Sequence, residues 1–283
     1  MVTKKSNDFF FKDLRKNGFD TNNRFYTIAE IGINHNGKVD QALRLIDAAH
    51  RSGADSVKFQ TYVTEKRVKK DSEIFQILKN CELSYYDFDK LKKHADDLGI
   101  TFFSTPFDEE SVEFLDSINV PFYKIASFDI VNHRLLRKIS KKNKTTIFST
   151  GMSNLDEVKK AYNIVGSSNS VILHCVSAYP TKEKNANLGS IDVLKNSFDC
   201  IIGQSDHTPD IRIPVFSFLK GAQILEKHFK IEETCVDSPV SIDEVQMKNM
   251  IRQLREADEI IGEAKLEIRE TEQAAKIYRR HTN

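Results

Sequence analysis

The sequence lacks the features that mark membrane, secreted and nucleic-acid-binding proteins. No apolar run approaches the roughly 20 residues of a membrane-spanning helix, and residues 1–18 carry charge without the apolar core of a signal peptide. With 42 basic and 41 acidic residues the formal net charge is +1, which gives no reason to expect nucleic acid or an anionic membrane as a partner. The cysteines Cys81, Cys175, Cys200 and Cys235 are scattered without a CxxC pair. This pattern is typical of reduced thiols, so we expect a cytoplasmic protein.

A regular alternation of apolar and amphipathic stretches begins at Phe25. The short apolar stretches predict eight buried strands, at 26–33, 56–60, 101–104, 122–125, 146–149, 171–175, 200–202 and 222–225. The stretches that follow them predict helices at 39–52, 84–98, 109–117, 132–142, 154–165, 191–197, 210–220 and 242–262. A long connection rich in Lys and Glu, 61–83, separates the second strand from its helix.

Eight strand–helix units in series predict an α/β fold, a (β/α)8 TIM barrel, because each parallel connection needs a crossover helix. A doubly wound open sheet is the alternative, but no GxGxxG follows any strand and no two-half organisation is visible. We therefore expect a catalytic barrel at 25–262. Residues 1–24 would form an extension or a plug under the barrel, and 263–283 a helical tail or the start of a linker.

Polar residues collect where each predicted strand ends, which is the face where TIM barrels place their chemistry. Lys58 and Lys124 lie among hydroxyl side chains, and this combination suits a phosphate or another anion. The alternative is that the two lysines only neutralise Glu30 and Asp129. His207 and His228 end the last two strands and could form an open metal site, although each could also be an ordinary polar group at a strand end.

Eight motifs, in order and at consistent spacing, carry a family resemblance: AEIGINHNG at 29–37, VKFQT at 57–61, FSTPF at 103–107, YKIAS at 123–127, STGM at 149–152, HCVSAYP at 174–180, GQSDHT at 203–208 and EKHF at 226–229. Together they resemble the N-acetylneuraminate (sialic acid) synthase family, which includes legionaminic and pseudaminic acid synthases. The resemblance implies a metal-dependent condensation of phosphoenolpyruvate with the open-chain aldehyde of an N-acetylated amino sugar. The product would be a nine-carbon 2-keto acid, released with phosphate.

Carried over motif by motif, the resemblance implies that His207 and His228 bind a divalent metal, with Mn²⁺ expected. It assigns catalytic roles to Glu30, Lys58 and Lys124, with Glu30 handling a proton. The phosphoenolpyruvate pocket would comprise Lys58, Thr105, Lys124, Ser127, Ser149 and Ser205. The sugar side would comprise Glu30, Gln60, Tyr179 and Asp237, and the substrate-binding set also includes Asp129 and Ser177.

Departures from the family pattern leave the sugar open. Phe128 and Asp129 resemble the pseudaminic branch, whereas the opening motif resembles the sialic and legionaminic branches. Ser177 replaces a common Asn, and residues 231–236 replace a loop rich in proline and glycine. The resemblance therefore implies N-acetylmannosamine or a related diacetamido-trideoxyhexose as the expected sugar.

Members of this family usually continue into an antifreeze-like cap domain that places an arginine near the sugar, and we expect this chain to lack it. No mouth motif contains an arginine. We expect a homodimer that binds phosphoenolpyruvate and metal normally. Sugar binding and turnover would be poor until a separate cap is supplied, unless the connection 61–83 acts as a lid. A barrel that binds ligands without catalysis and a Schiff-base aldolase using Lys124 or Lys58 remain alternatives.

Overall fold

The computed structural model describes residues 14–280. Eight parallel strands form one closed barrel in sequence order, and β1 pairs with β8 to close it. The strands are β1 Tyr26–Gly32, β2 Ser56–Thr61, β3 Thr101–Pro106, β4 Phe122–Ile125, β5 Thr145–Ser149, β6 Ser170–Cys175, β7 Ile201–Asp206 and β8 Ile224–His228. The predicted (β/α)8 TIM barrel is confirmed.

The helices form the outer layer of the barrel. They are α1 Val39–Ser52, α2 Thr64–Arg67, α3 Phe75–Cys81, α4 Tyr85–Leu98, α5 Glu109–Ser117, α6 His133–Ser140, α7 Leu155–Val165, α8 Ser190–Ser197, α9 Arg212–Leu219 and α10 Glu244–Ile261. Local signals fix several ends: Ser84 and Asp87 form a capping box at the start of α4, and Gly99 ends it in the left-handed conformation. Within residues 14–280, no helix combines the length and apolarity needed to cross a membrane.

The last two strands run further than the sequence predicts. The predicted strand at 200–202 continues to Asp206, and the one at 222–225 continues to His228. Polar residues remain in the strand ladder because they are paired: the Lys227 ammonium lies 2.6 Å from the Asp206 carboxylate, with both side chains buried. Part of what the sequence predicts as loop is therefore rigid barrel wall.

The bottom of the barrel is covered by residues that precede β1. Phe19 is fully buried, stacks on Phe122 at 4.5 Å and meets Tyr26 edge-on at 5.1 Å. The prediction of an extension or plug concerns 1–24, and 1–13 lie outside the described residues. Towards the C-terminus of the described residues, Glu270–Tyr278 forms an exposed 3₁₀ helix.

The connection between β2 and α4 contains two short helices, α2 and α3, which lie beside the barrel mouth. The Tyr62 hydroxyl donates to the Leu78 carbonyl at 2.9 Å, and the Thr64 amide donates to Glu82 at 2.8 Å. Gly37 permits α3 to approach the loop after β1, since a Cβ at that position would lie 2.0 Å from the Asn80 carbonyl oxygen. The connection is thus fastened to itself and to the mouth.

Candidate active site

A pocket of about 280 Å³ opens at the carboxyl ends of the strands. Twelve of the fourteen candidate site residues line it: Glu30, Lys58, Gln60, Thr105, Lys124, Ser127, Ser149, Tyr179, Ser205, His207, His228 and Asp237. The other two lie beside it. The Asp129 carboxylate accepts a hydrogen bond from the side-chain amide of Asn132 at 3.1 Å, and Ser177 lines a neighbouring cavity.

Four buried charges form the floor of the pocket. The Lys58 ammonium lies 2.6 Å from Glu30 and 3.7 Å from Glu226, and the Lys124 ammonium lies 3.5 Å from Glu226. The expected ion pair between Lys58 and Glu30 is thus present, whereas Lys124 pairs with Glu226 and not with Asp129. The partner of Lys124 is Glu226, because β8 and β4 both direct these side chains into the barrel interior.

The two glutamates differ in their proton affinity. Burial raises the pKa of Glu30, an effect that the Lys58 charge only partly opposes. Burial also acts on Glu226, but the charges of Lys124 and Lys58 outweigh it and hold the pKa of Glu226 below its usual range. Glu226 is therefore the ionised partner of the lysines, whereas Glu30 retains a proton more readily. Both lysines lie within 4 Å of Glu226 and each donates to a hydroxyl neighbour, so the floor offers two cations with hydroxyl donors to an anion.

Hydroxyl groups surround the two lysines. Lys124 donates to Ser149 Oγ at 2.6 Å, and Lys58 donates to Thr105 Oγ1 at 3.3 Å. Ser205 Oγ donates to Glu226 at 2.8 Å. These groups can rotate to donate to phosphate or carboxylate oxygens.

Gly151 packs closely against the hydroxyl groups of two serines beside the lysines. Its amide donates to Ser127 Oγ at 3.0 Å. A Cβ at Gly151 would lie 2.8 Å from Ser127 Oγ and 2.1 Å from Ser177 Oγ. The glycine of the STGM motif is therefore required for the two serines to occupy their positions.

The two histidines lie together on the wall formed by β7 and β8, with ring centroids 5.2 Å apart. His207 Nδ1 lies 2.9 Å from the Val176 carbonyl oxygen, which can only accept, so in the neutral ring Nδ1 carries the proton and Nε2 the lone pair. His228 Nδ1 is buried without a hydrogen bond, and the nearest carboxylate, Asp237, is 3.5 Å away. Both rings thus offer a nitrogen suited to a divalent metal.

In residues 14–280, no third protein ligand joins the two histidines to form a complete metal site. In the described part of the chain, no group of three or more His, Cys, Asp or Glu side chains is placed to hold an ion. A metal on His207 and His228 would keep most of its coordination positions for water or substrate, as expected of an open site.

The adjoining wall of the pocket is formed around Gly32, where a bulge interrupts the pairing of β1 with β2. The backbone φ of Gly32 is +55°, and its missing side chain leaves space between Glu30, Gln60 and Asp237. A Cβ there would lie 3.1 Å from Glu30 Oε1 and 3.4 Å from each of the other two side chains. Three polar groups thereby converge on one small region.

Sequence reasoning missed Glu226, Arg67 and Phe107, which also line the pocket. A glutamate inside an apolar strand was a usable signal for Glu226, since a buried carboxylate needs a partner or a role. Phe107 ends the FSTPF motif but, as an apolar residue, gave no chemical signal. Arg67 gave none either, because it comes from the connection after β2 rather than from a strand end.

Comparison with known proteins gives consistent results. The sequence model of the NeuB family matches residues 45–266. The chain is 40% identical to an uncharacterized protein of Methanocaldococcus jannaschii, over 84% of this chain and 72% of that protein. It is 38% identical to N,N'-diacetyllegionaminic acid synthase of Legionella pneumophila, over 84% of this chain and 73% of that protein. The crystal structure of N-acetylneuraminic acid synthetase from Leptospira borgpetersenii superposes with a TM-score of 0.87 at 35% identity, covering 90% of each chain.

Proposed function

Because the chain belongs to the NeuB family of sialic-acid-type synthases, we propose that it condenses phosphoenolpyruvate with an N-acetylated amino sugar to give a nine-carbon 2-keto acid and phosphate. The observation that carries the proposal is the shared pocket of two buried lysines, their hydroxyl neighbours and two histidines. The floor suits an anion, and the wall with the two histidines suits a carbonyl compound. Both face the same pocket, so a bond can form between the bound substrates.

Phosphoenolpyruvate is assigned to the floor of the pocket. Lys124 and Lys58 supply positive charge, and Thr105, Ser127 and Ser149 supply hydroxyl donors for phosphate and carboxylate oxygens. Fixing the anion in this way positions C3 of phosphoenolpyruvate towards the sugar aldehyde.

His207 and His228 would hold the divalent metal, for which Mn²⁺ fits two imidazoles and oxygen ligands. When bound, the ion supplies a Lewis acid that polarises the aldehyde. Tyr179, whose ring centroid lies 4.3 Å from that of His207, covers this side and limits the access of water.

Glu30 is assigned the proton transfers. As C3 of phosphoenolpyruvate bonds to the aldehyde carbon, the aldehyde oxygen becomes a hydroxyl and takes a proton from the Glu30 carboxyl. Water then adds to C2 and gives one proton to Glu30. The bond from C2 to the phosphate oxygen breaks as the keto group forms, and phosphate leaves with the proton of the C2 hydroxyl. The raised pKa of Glu30 suits a group that holds and then recovers a proton.

The sugar is proposed to be N-acetylmannosamine or a diacetamido-trideoxyhexose. The chain is similar both to an N-acetylneuraminic acid synthetase and to an N,N'-diacetyllegionaminic acid synthase. The test is phosphate release from phosphoenolpyruvate with each of these sugars and Mn²⁺, with mass spectrometry of the product. A nine-carbon 2-keto acid formed in equal amount to the phosphate supports the proposal.

Other outcomes of that assay would replace the proposal. A covalent adduct trapped on Lys124 or Lys58 by borohydride would indicate the Schiff-base aldolase. Binding of both substrates without phosphate release would indicate a barrel that binds ligands but does not turn them over alone. Light scattering at twice the 32.5 kDa chain mass would support the proposed homodimer.

A further inference from the structure

Arg67 reaches the pocket although no strand end carries an arginine there. It is the last residue of α2, and its side chain lines the pocket beside Gln60 and Asp237. The proposed chemistry gives it no role, and the family motifs do not include it.

The guanidinium of Arg67 is held in a defined position. Its carbon lies 3.6 Å from the centroid of the Phe107 ring and 4.6 Å from that of Tyr62. Nη1 donates to Gln60 Oε1 at 2.9 Å. Because stacking and the hydrogen bond already orient the group, little further ordering is needed when a ligand binds.

Most donors of this guanidinium remain available. Arginine has five N–H groups and accepts nothing. Within residues 14–280, the Arg67 side chain donates a hydrogen bond to Gln60 and forms no ion pair with a carboxylate. A ligand atom that complements Arg67 must therefore be an acceptor.

The surrounding charge favours a neutral acceptor over an anion. Asp129 and Asp237 both feel the charge of Arg67 without forming an ion pair with it. Because these two carboxylates offset the charge of the single guanidinium, this part of the pocket suits a phosphate group less well than the floor with its two lysines. An amide carbonyl oxygen carries no net charge and is a strong acceptor, so it fits the donors without opposing the carboxylates.

We propose that Arg67 is a specificity-determining residue that donates hydrogen bonds to the N-acyl carbonyl oxygen of an unphosphorylated amino sugar. This inference rests on the proposed function for the identity of the ligand. Gln60 and Phe107 position the guanidinium for that contact.

The experiment measures sugar binding by calorimetry in the presence of Mn²⁺, for native protein and for Arg67→Met. The probes are N-acetylmannosamine, a 2,4-diacetamido-trideoxyhexose, mannose as the analogue without an acyl group, and N-acetylmannosamine 6-phosphate. Lys66→Met is the matched control: it removes a neighbouring cation of α2 that is half exposed and pairs with Glu110. Arg67→Lys keeps the charge but loses the planar fork.

Arg67→Met should weaken binding of an acylated sugar by about 10- to 100-fold, the usual range for one charged hydrogen bond. Mannose and phosphoenolpyruvate should bind as they do to native protein. Arg67→Lys should give an intermediate loss for the acylated sugar, and Lys66→Met should change nothing.

Four results would overturn the inference: no acylated sugar binds native protein, binding of the acylated sugars is unaffected, mannose loses as much as they do, or the 6-phosphate loses more than its unphosphorylated counterpart. The last result would identify an anion site. If acylated-sugar binding depends on Arg67 but no phosphate is released, the proposed reaction fails and the inference stands.

Discussion

Lys124→Met separates the anion-binding role of the pocket floor from its contribution to stability. The Lys124 ammonium is buried, donates to Ser149 at 2.6 Å and lies 3.5 Å from Glu226. Methionine keeps a long apolar stem but removes both the charge and the donors. The change therefore tests electrostatics with little loss of packing.

The expected magnitudes come from these contacts. Loss of a buried charged hydrogen bond to phosphoenolpyruvate should cost about 1.5–3 kcal/mol, or about 10- to 100-fold in Kd. Breaking a buried ion pair costs about 3–5 kcal/mol of unfolding free energy when a charge is left alone. Glu226 retains Lys58 at 3.7 Å and the Ser205 hydroxyl at 2.8 Å, so we expect the lower end of that range.

A second substitution distinguishes the two effects. Adding Glu226→Gln to Lys124→Met removes the stranded carboxylate and leaves the Lys58–Glu30 pair intact. The double variant should recover much of the unfolding free energy, measured in urea, but not the affinity for phosphoenolpyruvate, measured by calorimetry.

Lys227→Met is the matched control for the loss of a buried cation from a barrel strand. Lys227 is buried and pairs with Asp206 at 2.6 Å, but it does not line the pocket, because alternate side chains of a strand point to opposite faces. It should lower stability and leave the affinity for phosphoenolpyruvate unchanged. If Lys124→Met binds phosphoenolpyruvate normally while sugar binding weakens, the assignment of the two sides is reversed.

Three further predictions concern the metal, the proton and the serine cluster. His207→Ala or His228→Ala should abolish activity with the thermal midpoint of unfolding nearly unchanged, and full activity of native protein in strong chelator would contradict the metal assignment. Glu30→Gln should lower turnover by at least about 100-fold, because an amide cannot exchange the proton, while the Kd for phosphoenolpyruvate holds; turnover near the native rate would exclude Glu30 as the acid. Gly151→Ala should raise the KM for phosphoenolpyruvate, since the added Cβ would lie 2.8 Å from Ser127 Oγ and displace it, and an unchanged KM would show that Ser127 does not contact the anion.

The fold was predictable because its elements are marked by local signals. The bounds of α1 and α5 are those that the apolar period predicts, since Gly53 ends α1 with a φ of 83° and Asp108 caps α5 by accepting from the Ser111 amide. Eight such units in series leave few ways to bury every strand, so the closed barrel follows from their number.

The limits of prediction appear where polar residues are buried within the strands. The strands β7 and β8 were predicted too short, because polarity normally marks the end of a strand. Asp206 and Lys227 continue the ladder by neutralising each other. That partnership joins residues 21 positions apart, so periodicity along the chain could not reveal it.

The sugar side shows the same limit with a functional consequence. The sugar side was predicted to comprise Glu30, Gln60, Tyr179 and Asp237, and Arg67 lines the same pocket as these residues. Arg67 enters the pocket from α2. Its guanidinium is held by Phe107, which follows β3, and by Gln60 of β2. A cation that arrives from a connection and is fixed by an aromatic ring leaves no strand-end pattern. The barrel therefore contains, within its own mouth, a positively charged donor on the side where the motifs supply mainly acceptors.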